Sequence, residues 1–219
     1  MTTLNKNNPP SQAARRPGWP ALLLVLATAT VLPGCVALLM GGAMVGTAIS
    51  VADRRTSGAQ LEDQAIELKA LSRVSDASGN RGHVSVTSYN RSALLTGEAA
   101  SDKDKAAIEQ AVSGIENLRS VVNELAVMGA SSMTSRASDT LITSKVKATL
   151  LEAKDIHGNT IKVVTERGTV YLMGIVTERE AGRAVELTRA VSGVGKVVRV
   201  FELISEAELA QLRPPSTKK

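Results

Sequence analysis

Aromatic side chains are almost missing from this chain of 219 residues: one Trp, two Tyr and one Phe make up 2% of it. A core without them relies on Val, Leu, Ile and Ala, which suits several thin layers better than one thick core. Stacking platforms for single-stranded nucleic acid need exposed rings, so that class of partner is disfavoured. Cysteine occurs once, at Cys35, which excludes an internal disulfide and a cysteine-rich metal site. Histidine occurs twice, at His83 and His157, each beside a glycine. The sequence sets no ligand or triad partner next to either, so both are expected in loops or at strand edges, as solvated residues. Glycine-rich stretches lack the GK[ST] of a phosphate-binding loop, and carboxylates are scattered among lysines and arginines as on solvated helix faces. No catalytic site, no metal site and no enzyme are expected.

Acidic residues are absent ahead of Cys35, where Lys6, Arg15 and Arg16 stand. Without those three, the 26 basic residues become 23 against 21 acidic, and the balance falls from +5 to +2. A near-neutral remainder does not point to nucleic acid. The basic segment is followed by the uncharged run Trp19 to Val31 and then by Leu32-Pro33-Gly34-Cys35. That layout reads as a secretory signal over residues 1–34. Its Leu-x-Gly-Cys ending resembles the lipobox of bacterial lipoproteins. The resemblance implies lipidation of Cys35 by a covalent diacylglycerol and an N-acyl chain such as palmitate. Val36 rather than Asp after the cysteine implies the outer membrane, at its periplasmic face. A spanning helix of about 20 residues within the charge-free stretch 19–52 also fits, although Pro33 and four glycines interrupt it. Residues 35–60 then form a Gly/Ala-rich tether, or a helix packed through Gly42-x-x-x-Gly46.

Beyond the tether the chain repeats itself. Val84-Ser85-Val86-Thr87 corresponds to Ile161-Lys162-Val163-Val164, and the strand ending at Gly97 to the one ending at Gly174. Val112-Ser113-Gly114 corresponds to Val191-Ser192-Gly193, with a β-rich tail after each. In the second copy Asp139 suits an N-cap for a helix through about Ala153. Thr160–Thr165 and Thr169–Met173 flank Glu166-Arg167-Gly168 as a hairpin. Thr177 to Glu180 is a capping box, Ser192-Gly193 a helix stop, and Lys196–Ile204 the last strand. In the first copy Ser101 to Asp104 opens the second helix similarly, while the first helix is ambiguous and Ser75 to Gly82 is an irregular loop. The fold class is α/β of the α+β kind: two small α-β-β-α-β domains, each a three-stranded sheet with two helices, over residues 61–127 and 138–205. Residues 128–137 link them, and 206–219 form a tail.

This order, the glycine after the second strand and the Ser-Gly-Val turn resemble the BON domain, most strongly in YLMGIVTEREAGRAVELTRAVSGVGKVVRVF. A lipobox followed by two such domains is similar to the dual-BON outer-membrane lipoproteins. The resemblance implies binding of anionic phospholipid, such as phosphatidylglycerol, chiefly through the second domain, and a part in envelope integrity under stress. No cofactor is implied beyond the acyl groups on Cys35.

On the first helix of the second copy, Ile142, Val146, Thr149 and Leu150 form the core face at 100° per residue. Leu141, Lys145, Ala148 and Leu151 fall elsewhere, with Lys147 nearby and no carboxylate between Thr140 and Leu151. Leucines that dip into a bilayer beside ammonium groups at phosphate depth suit an anionic surface. Packing of Leu141 on the linker, or of Leu151 on the first domain, is the alternative. The first helix of the first copy carries Glu62, Asp63 and Glu67 and is expected to avoid anionic lipid. A second function of a different class is an envelope-protein adaptor, docking its partner through either helix.

Overall fold

The computed structural model describes residues 53–79 and 81–212. The expected signal peptide, Cys35 and the tether as far as residue 52 lie outside the described residues. Thr56 caps α1, Ser57–Ser78, by accepting from the Ala59 N–H. Ile66, Ala70 and Val74, spaced by four, form its buried face. The helix runs on to Gly79, a left-handed C-cap, so Ser75–Ser78 is helix rather than the expected irregular loop. β1, His83–Tyr89, turns back antiparallel into β2, Ser92–Ala99. α2, Asp102–Ser113, is capped by Ser101 and crosses over to β3, Ser120–Asn123, which lies parallel to β2. A two-residue strand β4, Ala126–Val127, continues that pairing further along β2.

The second copy repeats this order. α3, Met133–Glu152, begins after the cap Ser132, seven residues earlier than the patterning suggests. Asp139 is therefore not its N-cap but a buried residue within it. A 3-10 turn, Gly158–Thr160, leads into β5, Lys162–Glu166, which pairs antiparallel with β6, Thr169–Val176. α4, Glu178–Arg189, opens with the expected capping box of Thr177 and Glu180. β7, Lys196–Leu203, lies parallel to β6 over eight pairs, and a short α5, Glu206–Leu212, follows. Strand orders are β1-β2-β3 and β5-β6-β7, so both domains have the expected strand order with a parallel crossover, and β4 adds a fourth strand to the first sheet beyond the three expected.

Alternation along the central strands assigns their two faces. Ala93, Leu95 and Ala99 of β2 pack under α1 and α2, with Ile66, Ile108 and Val112. Val170, Leu172 and Val176 of β6 pack under α3 and α4, with Ile142, Val146 and Leu150. The opposite faces meet one another. Tyr89 and Leu94 from the first sheet and Tyr171, Met173 and Ile175 from the second form a third core. The layers thus run helix, sheet, sheet, helix, and both tyrosines of the chain lie between the sheets. Tyr89 donates from its hydroxyl to the Thr160 carbonyl at 3.3 Å, and burial pushes its pKa up to about 12.

Candidate functional site

The outer face of α3 is where the structure gathers the residues expected to meet lipid. Leu141 and Leu151 are 65% and 63% exposed, and Met133, the first residue of the helix, is exposed as well. Neither leucine packs away, on the linker or on the first domain. Lys145, Lys147 and Ala148 share the exposed side. The helix period places Lys145 at one margin of the leucines and Lys147 at the other, with Ser144 between. Lys145 donates to the Ser192 hydroxyl at 3.3 Å, which ties it loosely to the turn after α4.

Lys147 and Leu151 also line a hollow of about 370 Å³ together with Asp53, Arg55, Tyr89 and Lys162. Asp53 is the first described residue, so the segment coming from the tether meets the body of the protein beside the C-terminal half of α3. That segment is held firmly. Arg54 donates two hydrogen bonds to the Glu180 carboxylate, at 2.7 and 2.8 Å, and one to the Ile175 carbonyl. Arg55 pairs with Asp53 and Asp63 and lays its guanidinium 4.2 Å from the centre of the Tyr89 ring. Although it precedes the first domain in sequence, residue 54 is bonded to the second.

The first-domain helix differs from its expected character. Asp63 points inward, accepting from the Ser88 hydroxyl and the Asn90 and Arg91 N–H groups. Glu67 accepts from the Ser88 N–H and from Lys162. Glu62 accepts from the Asn117 side chain. All three carboxylates are engaged within the protein. The exposed side of α1 carries instead Leu61, Leu68 and Leu71, at 68%, 69% and 59% exposure. The reading by charge passed over these leucines, although their spacing of seven and three was the available signal. Leu68 and Leu71 border a groove of about 370 Å³ with Gln64, Glu67 and Val86 of the edge strand β1.

His83 is a further departure. It is the first residue of β1, a strand edge as expected, but half-buried rather than solvated. Its Nδ1 lies 3.8 Å from Oε2 of Glu98, a fully buried carboxylate on β2. Glu166, at the end of β5, reaches the same spot. Burial pushes the Glu166 carboxyl up, and the charges of Glu98 and Asp139 push in the same direction. Sequence reasoning missed this cluster because its members come from both copies, and only the apposed sheets bring them together. Among the described residues no helix is long and apolar enough to cross a membrane.

Residues 62–129 and 138–204 each match the BON domain. The chain is 31% identical to the outer membrane lipoprotein DolP of Haemophilus influenzae, over 84% of this chain and 95% of that one. It is 29% identical to the 21 kDa hemolysin of Actinobacillus pleuropneumoniae, over 69% of this chain and 79% of the relative. The osmotically-inducible protein Y of Escherichia coli K12 is 30% identical over 63% of this chain and 70% of its own.

Proposed function

The chain belongs to the BON domain family, and on that footing we propose a non-enzymatic outer-membrane lipoprotein that binds anionic phospholipid through the outer face of α3 and supports envelope integrity. Acylation at Cys35 supplies its hold on the periplasmic face of the outer membrane. The observation that carries the reading is the pairing of exposed Leu141 and Leu151 with Lys145 and Lys147, on a helix face next to the segment that arrives from Cys35. A lysine at an anionic surface contributes about 1 kcal/mol, and apolar burial roughly 25 cal/mol per Å². Neither holds a soluble domain on a bilayer alone. A covalent anchor at Cys35, 18 residues ahead of Asp53, raises the local concentration, and weak contacts then suffice. Both lysines present compact ammonium groups, which meet a phosphodiester as point charges and do not require one headgroup geometry.

Flotation of residues 53–219 on phosphatidylglycerol against phosphatidylcholine vesicles tests this directly. The unsubstituted protein should float with the anionic vesicles alone, and a Leu141→Glu, Leu151→Glu variant with an unchanged circular dichroism spectrum should stay at the bottom. Equal flotation of both proteins, or none of either, removes α3 as the lipid-binding face.

A second reading rests on α1. Its three exposed leucines and the groove beside edge strand β1 suit a protein partner, which makes the molecule a membrane-tethered adaptor. Leu68→Glu separates the two readings, since it should leave vesicle flotation intact while abolishing capture of an envelope protein.

A further inference from the structure

Three ionisable side chains meet at one end of the space between the two sheets. Strand alternation puts Glu98 of β2 on the same face as Leu94, and Glu166 of β5 on the same face as Val164. Leu94 and Val164 both belong to the apolar core between the sheets. His83 joins them from β1, where it is paired in register with Glu98. One side-chain donor atom from each of His83, Glu98 and Glu166 lies within 4.8 Å of the others.

These groups are poorly served by the protein itself. Glu98 accepts from the Ser131 N–H through one oxygen, at 3.1 Å. Its other oxygen, Oε1, accepts no hydrogen bond; the nearest cation is the Arg167 guanidinium at 3.7 Å, whose side chain is partly open to solvent. Oε1 of Glu166 and Nδ1 of His83 are likewise buried without a hydrogen-bond partner. Two carboxylates and an imidazole pressed together away from water cost free energy unless something positive joins them.

We propose that His83, Glu98 and Glu166 form a binding site for a divalent transition ion of zinc-like chemistry, which fastens the first domain to the second. One imidazole nitrogen and two carboxylate oxygens form a mixed N/O donor set. It suits Zn²⁺, whereas Ca²⁺ takes six to eight oxygens and Mg²⁺ keeps several waters. Tetrahedral bonds near 2.0 Å need donor atoms about 3.3 Å apart, so the three side chains close in by at most about 1.5 Å, within the reach of rotamer adjustment. Water completes the coordination on the side where Arg167 opens to solvent. Two ligands come from the first domain and one from the second, so the ion stabilises the apposed sheets and not either domain alone.

The test uses the full, untagged chain in detergent, titrated with Zn²⁺ by calorimetry, with Mg²⁺ and Ca²⁺ as comparisons and Co²⁺ as a spectroscopic reporter. One Zn²⁺ should bind per chain at micromolar or tighter affinity, raising the melting temperature, while Mg²⁺ and Ca²⁺ do neither. His83→Ala and Glu166→Gln should each weaken Zn²⁺ at least tenfold and remove the visible Co²⁺ absorption bands. Both sites border solvent more closely than Glu98, so these variants should fold, as circular dichroism in metal-free buffer would show. No saturable Zn²⁺ binding by the unsubstituted chain overturns the proposal. So does binding that both folded variants retain at full strength, which would put the ion elsewhere, for instance at His157.

Discussion

Asp63 and Asp139 hold the same place in the two domains: each sits in the second turn of its first helix, on the buried face, and clasps the hairpin turn of its own sheet. Asp139 accepts from the N–H groups of Arg167 and Gly168, both at 2.8 Å. Asp63 accepts from Asn90 and Arg91, at 2.8 and 2.7 Å. All four donors belong to residues with positive φ, between 48° and 70°. Consecutive left-handed residues define the tight hairpin turn whose twist matches that of the strands, and they aim successive N–H groups to one side. The aspartate therefore joins helix to sheet and stabilises a backbone conformation that Asn90, Arg91 and Arg167 adopt at a cost.

Replacing Asp139 with Ala leaves two turn N–H groups without their charged acceptor and should lower stability by about 2 kcal/mol. Asp63→Ala removes the Ser88 and Arg55 bonds as well and should cost about 4 kcal/mol. Urea unfolding midpoints of the two variants check the order. Equal effects would mean that the extra partners of Asp63 contribute little.

Much of this architecture was legible in the residues. The duplication gave element order, and β-branched runs around Glu166-Arg167-Gly168 gave the hairpin. Thr177 and Glu180 gave the start of α4, because capping is local chemistry written in adjacent positions. Asp139 misled for the same reason: an aspartate ahead of an apolar periodic run looks like a cap, and its hairpin partners lie 28 and 29 residues further on. The inward turn of Asp63, the pairing of Glu67 with Lys162 and the convergence of His83, Glu98 and Glu166 depend on contacts that no local pattern encodes. The exposed leucines of α3 were legible because core and surface faces of one helix separate by period alone. Those of α1 were hidden behind carboxylates that proved to be engaged.

The repeated glycines of the central strands are not equivalent. Gly97 has φ +105°, and a Cβ on it would lie 2.1 Å from the His83 carbonyl oxygen. Gly174 lies outside the left-handed region, and its Cβ would be 3.0 Å from the Thr160 oxygen. Gly97→Ala should therefore break the β1–β2 pairing and leave the first domain unfolded, while Gly174→Ala costs about 1 to 2 kcal/mol through a small shift. Hydrogen exchange of the β1 and β2 amides distinguishes the two. Protected amides in Gly97→Ala would show that the strand can absorb the strain.

If α3 meets anionic lipid through Lys145 and Lys147, the attraction is electrostatic and screened by salt. Each Lys→Ala change should weaken vesicle partitioning about fivefold, from roughly 1 kcal/mol per lysine. Reversal of both to Glu should abolish it, and raising salt from 0.05 to 0.5 M should reproduce much of the loss. Partitioning that responds to the leucines but not to salt would indicate apolar insertion without headgroup recognition.

Arg54 and Glu180 set the acid limit of the fold. Burial alone would raise the Glu180 carboxyl, but hydrogen bonds from Arg54 and from the Thr177 N–H hold it below its ordinary value. Asp63 behaves alike: burial is outweighed by bonds from Arg91, Ser88, Arg55 and Asn90, and its carboxyl also lies low. A carboxyl whose folded pKa lies below its unfolded one, about 4, contributes stability that is full well above that value. The contribution is lost as pH falls through the folded pKa. The melting temperature should thus hold from pH 7 to about pH 5 and drop below pH 4. Arg54→Ala leaves Glu180 buried without its ion pair and should cost about 3 kcal/mol at pH 7. The gap between variant and unsubstituted protein should shrink towards pH 3, because a protonated Glu180 no longer needs the guanidinium. A gap that stays constant across a melting series from pH 7 to pH 3 would mean that Arg54 stabilises the fold through packing and its bond to the Ile175 carbonyl rather than through charge.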